Sequence, residues 1–268
     1  MLDYEIKIIP DKESGYFVDR DRLKKLAAEK RFIPGIYNYC DRWCERCPQT
    51  SRCLNFSISE EEFSDPKTQD IRNEAFWNKL SGILGETLEL LRESAKKWGV
   101  ELETLGSIDD IENIKAKNVA VENHLLCRAA KRYSGLVEDW FKERETLFFE
   151  IAAAREGVSL EEAIEVIRWY QYFICAKVMR AVRGDIEEDE ERCDEFPSDS
   201  DGSAKIALIA IDRSIAAWAV IQYYITDGAQ EVSDIIAFLD GLRQAVEETF
   251  PNARSFVRPG FDEIEPNG

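Results

Sequence analysis

Along most of this chain the apolar positions recur with helical spacing. Between Ile71 and Trp98, residues Ala75, Phe76, Leu80, Ile83, Leu84, Leu88 and Leu91 return every three or four positions, which puts them on one side of an α-helix that Gly99 ends. A longer helical stretch opens near Ser107 to Asp110, where short polar side chains accept from free amides, and runs to Ala154 with room for a break inside it. Ser159-Leu160-Glu161-Glu162 is a capping-box pattern. It opens a helix that is apolar around most of its circumference and that Gly184 closes. Ser203 to Thr226 is again largely apolar, with Asp227-Gly228 as its stop. Ser233 to Phe250 is amphipathic through Ile235, Ile236, Phe238, Leu239, Leu242 and Val246, and Pro251 follows.

The N-terminal part reads differently. Tyr4 to Ile9 alternates as a strand does, but one strand makes no sheet. Asp19 or Asp21 caps a short helix through Arg31 with a basic face able to dock on an acidic surface, and Pro34-Gly35 stops it. A polar stretch containing Pro66 then links to the helices. The expected fold is therefore all-α. A bundle of four to five long helices occupies 69–268, and a small N-terminal cysteine-rich metal-binding segment occupies 1–68.

Composition narrows the functional classes. With 268 residues the chain has enough surface to bury for a stable core without metal. It carries 53 acidic against 35 basic residues, a net charge of -18, so phosphate backbones and anionic membranes are expected to be repelled. The expectation is no nucleic acid and no membrane, leaving a protein partner as the macromolecular option. The opening MLDYEIKIIPDKES has no apolar targeting core, and no run approaches the length of a membrane span, so a soluble, cytoplasmic protein is expected. The acidic run Asp185 to Asp201 should be extended or disordered through self-repulsion.

In a reducing compartment cysteines stay as thiols unless metal holds them. Four of the seven, Cys40, Cys44, Cys47 and Cys53, fall within fourteen residues as C-x3-C-x2-C-x5-C, so one short loop can turn all four sulfurs to one point. Four thiolates suit an iron–sulfur cluster or a structural zinc ion. Zinc usually takes two separated C-x2-C pairs, and this loop has one. Its compact spacing, with Pro48 directly after Cys47, points first to a 4Fe-4S cluster and then to zinc. Tyr37, Tyr39, Trp43 and Phe56 stand nearby as shields against water.

Over about ten residues, Cys44 to Cys53 (CERCPQTSRC) resembles the C-x2-C-x5-C element of iron–sulfur clasps in RecB-like exonucleases and of auxiliary cluster domains in radical-SAM maturases. The resemblance implies cluster ligation and no more. The nuclease relatives need an acidic and lysine constellation on a sheet, and here Glu5-Ile6-Lys7 lacks the flanking strands. Cys40, Cys44 and Cys47 also match the C-x3-C-x2-C spacing of radical-SAM enzymes. Arg46, where those enzymes carry an aromatic, and the helical remainder of the chain depart from that pattern.

The helices carry a second candidate. On a helical wheel Lys177 shares a face with Val166, Tyr170, Phe173 and Ala181, and Asp212 lies among Leu208, Ile209, Ile215 and Ala219. Buried charges need partners, so a Lys177–Asp212 ion pair is expected, extended by Arg168, Arg180 and Arg213. The same charges can instead line an anion-binding or enzymatic pocket in the bundle. The single histidine, His124, reads as an ordinary helix residue, because a di-iron bundle needs two. Trp169, Tyr170, Tyr172, Phe173, Trp218, Tyr223 and Tyr224 read as core. Cys127 and Cys175 read as small buried apolar residues and Cys193 as an exposed thiol.

Overall fold

The computed structural model describes residues 20–99, 108–144, 158–191, 198–225 and 228–263. Among these residues every regular element is helical. The expected strand at Tyr4 to Ile9 and Cys193 lie outside the described residues. No described helix is long and apolar enough to cross a membrane. The chain forms two compact units, 1–37 with 42–111, and 38–41 with 112–268.

The first unit holds α1 (Arg20–Ala27), α2 (Leu54–Glu62), α3 (Pro66–Gln69) and α4 (Glu74–Trp98). Local chemistry sets its helix ends. Asp65 caps α3, accepting from the amide of Lys67 at 2.9 Å, with Pro66 in the first turn, where a missing N–H costs nothing. Asn73 caps α4, accepting from Ala75 at 3.0 Å, and Gly99 ends it in the left-handed conformation, φ +70°. The apolar stripe of α4 is only partly covered. Ala75 is buried, whereas Leu84, Leu88 and Leu91 remain exposed.

The second unit contains the bundle. α5 (Ile108–Asn123) enters it at Glu112, and α6 (Leu125–Glu143), α7 (Val158–Glu191), α8 (Asp199–Tyr224) and α9 (Ala229–Thr249) follow. α6 packs on α7, α7 on α8, α8 on α9 and α9 back on α6, which closes a four-helix ring. The α7–α8 interface is the most extensive of these. Inside the ring Tyr133, Ile167, Tyr170, Ile174, Leu208, Ile211, Trp218 and Leu239 are fully buried. The Trp218 indole donates to the Tyr133 hydroxyl at 3.1 Å and meets Trp140 edge to face at 4.9 Å. Burial pushes the Tyr133 phenol up to about 12.

Three expectations change here. The expected long helix breaks at His124, whose ring Nδ1 accepts from the Leu126 amide at 3.3 Å, so the histidine caps α6. Gly184 does not close α7, which continues to Glu191 and thus takes in the first part of the acidic run. A Cβ at Gly184 would run into Ser200 Oγ, so this glycine serves the close approach of α8 rather than a stop. Of the expected aromatic core, Tyr170 and Trp218 are buried, while Tyr172 and Tyr223 are exposed.

Candidate functional site

The cysteine loop is a series of single tight turns. Cys44–Arg46 and Thr50–Arg52 are 3-10 turns, closed by Cys47 N–H donating to Cys44 C=O at 3.1 Å and Cys53 N–H donating to Thr50 C=O at 3.2 Å. Each turn therefore ends on a cysteine. The Gln49 amide donates to Cys47 Sγ at 3.4 Å, and the Phe56 amide donates to Cys53 Sγ at 3.5 Å where Cys53 caps α2. Trp43 is buried under the Arg46 guanidinium, 4.1 Å from its ring centre. Arg42 turns the chain with φ +60°, an uncommon conformation for a side chain of this size.

Cys40, Cys44, Cys47 and Cys53 are half-buried thiols. Among the described residues no three Cys, His, Asp or Glu side chains are gathered for one metal ion. The loop thus has the ligand types and sulfur-directed amides of a metal site, with side chains not turned to one centre.

The bundle charges serve a different purpose from the one expected. Residues Asn38–Asp41 form a strip belonging to the second unit, and each of its polar ends is held. Lys177, 8% exposed, donates to the Asn38 carbonyl at 3.0 Å and lies 5.5 Å from the Phe173 ring centre. Tyr39 donates to Asp199 at 2.8 Å, and Arg180 grips the same carboxylate at 3.1 and 3.2 Å. The Tyr39 ring sits against Phe256 at 4.7 Å and over Gly202, where a Cβ would run into it. Asp41 accepts from the Tyr170 hydroxyl at 2.8 Å and from Arg213 at 2.6 Å, and its carbonyl accepts from the Trp169 indole at 3.0 Å. Burial of Tyr170 pushes its phenol up to about 12, so at neutral pH it is a donor.

The expected Lys177–Asp212 pair is not formed. Asp212 is a half-exposed carboxylate that accepts from Arg254 at 2.6 and 3.3 Å, with Arg243 at 3.7 Å. Arg168 lies 3.9 Å from the Phe141 ring centre and donates to Gln171 at 3.3 Å. An apolar face on each helix does not choose the partner, because the pairing depends on how far each helix is rotated about its own axis. The partners found, Asn38, Tyr39 and Asp41, lie over 100 residues from α7, and no local pattern in the sequence marks them. Compared with models of known families, with curated proteins and with solved structures, the chain matches none of them.

Proposed function

We propose that this chain is a metal-binding helical protein whose loop holds one metal centre through Cys40, Cys44, Cys47 and Cys53, with a 4Fe-4S cluster as the first reading. The observation that carries it is the spacing of four half-buried thiols within fourteen residues, two of which already accept backbone N–H bonds. Four-ligand thiolate and imidazole sites release roughly 10–16 kcal/mol on binding zinc, which is available to gather the four sulfurs. The resemblance of Cys44 to Cys53 to cluster clasps supports iron over zinc. Structural zinc is the second reading, favoured by the tight Cys44–Cys47 turn and by the Gln49 N–H directed at Cys47 Sγ. In that case the N-terminal segment acts as a docking surface for a protein partner.

An enzymatic site around Lys177 draws less support, because Lys177, Arg180 and Arg213 are engaged with the strip and Asp199. The test is anaerobic purification with a visible spectrum and iron, sulfide and zinc analysis, repeated on the Cys44→Ser, Cys47→Ser chain. Broad visible absorption with about four irons per chain, lost in the variant, is the expected result. One zinc per chain without colour selects the second reading, and absence of both metals overturns the proposal.

A further inference from the structure

Away from the loop, a solvent-open cavity of about 660 Å³ lies in the bundle, walled by α6 and α7 residues that include Cys127, Lys131, Cys175 and Met179. Three sulfurs line it, and Cys175 acts electrostatically on Cys127. Cys175 and Met179 are four apart on α7 and so stand on one face, with Sγ and Sδ 3.8 Å apart. Cys127 enters from α6 and is almost fully buried. We propose that Cys127, Cys175 and Met179 form a binding site for a single copper(I) ion.

The chemistry of the donors selects the metal. Thiolate and thioether are soft ligands that favour copper(I), whereas zinc prefers four nitrogen, sulfur or carboxylate donors. The Met179 thioether adds a third soft donor to the two thiols on the cavity wall. With a metal–sulfur bond of about 2.3 Å, three sulfurs in a plane sit roughly 4 Å apart, close to the observed pair. On binding, each thiol releases its proton to water and donates a sulfur lone pair, and copper stays monovalent. Two thiolates and one cation leave a single negative charge. Burial raises the Cys175 thiol and Lys131 works against that rise; Lys131 and Arg128 on the cavity wall can balance the charge. Glu138 also lines the cavity, but its carboxylate accepts from the Tyr172 hydroxyl at 3.1 Å.

The test is anaerobic titration of the full chain with copper(I) against bicinchoninate, in a Cys44→Ser, Cys47→Ser background that takes away two loop sulfurs. Adding Cys127→Ala and Cys175→Ala should remove one equivalent of copper per chain. Met179→Leu should keep that equivalent but weaken it by at least about tenfold. Gly135, also on the cavity wall, has open space around its would-be Cβ, so Gly135→Leu should obstruct the site without altering any sulfur. This variant decides the matter if the alanine pair fails to fold. Unchanged copper stoichiometry in folded variants, an oxygen or nitrogen shell by X-ray absorption, or a Cys127–Cys175 disulfide formed in place of copper binding would each overturn the assignment.

Discussion

The strip Asn38–Asp41 and the loop from Cys44 to Cys53 are near neighbours in sequence, and they use their polar groups in opposite ways. The strip is held by side chains more than 100 residues away, and its carbonyls, carboxylate and phenol meet donors or acceptors on α7 and α8. The loop closes on itself through turns of three residues and leaves thiols as its distinctive chemistry. Buried charge is thus no marker of a site here, since Lys177 does structural work.

The largest expected effect is on the loop side of this contrast. Cys44→Ser with Cys47→Ser should abolish the iron or zinc held by the loop while leaving the urea unfolding midpoint of the bundle, followed by tryptophan fluorescence, unchanged. A large shift of that midpoint would show that the loop is structural after all.

Next comes Asp41→Ala, which deprives the buried Tyr170 hydroxyl and Arg213 of their acceptor. Two such losses should cost about 2–4 kcal/mol in the same urea titration. A value near zero would mean that the strip is not seated in solution.

Gly202→Ala should follow at about 1–3 kcal/mol, because the new methyl must push aside the Tyr39 and Phe256 rings. Restoring stability by pairing it with Tyr39→Ala would identify the ring as the cause. The smallest effect concerns acid. The Arg258 guanidinium, with Lys205, holds the Asp262 carboxyl well below the usual carboxylate range. A depressed carboxylate contributes its stabilisation above its unfolded pKa of about 4 and loses it as pH falls below that toward the folded value. Asp262→Asn should therefore lower stability at pH 7 and flatten the further loss between about pH 4 and pH 2 in thermal melts.

Much of the helical layout was legible beforehand, and the misses share a cause. The ends of α4 follow from Asn73 and Gly99, and the stretches expected at Ser203 to Thr226 and Ser233 to Phe250 correspond to α8 and α9 with ends shifted by a few residues. Gly184 was misread because glycine both ends helices and admits close neighbours, and only the position of Ser200 distinguishes the two. Leu84, Leu88 and Leu91 formed a convincing apolar stripe, yet a stripe does not state whether anything covers it.

The sequence by itself determined the helices, their caps and the cysteine spacing, because each depends on residues within a turn or two of one another. It also placed Lys177 on an apolar face, and the structure buries it. Only the tertiary structure decided that Lys177 meets the Asn38 carbonyl, that Asp212 turns to Arg254, and that Cys127 joins Cys175 and Met179 around one cavity. Those pairings depend on how far each helix is rotated about its axis when the ring closes. That rotation is set by the summed packing of side chains from all four helices rather than by any local pattern.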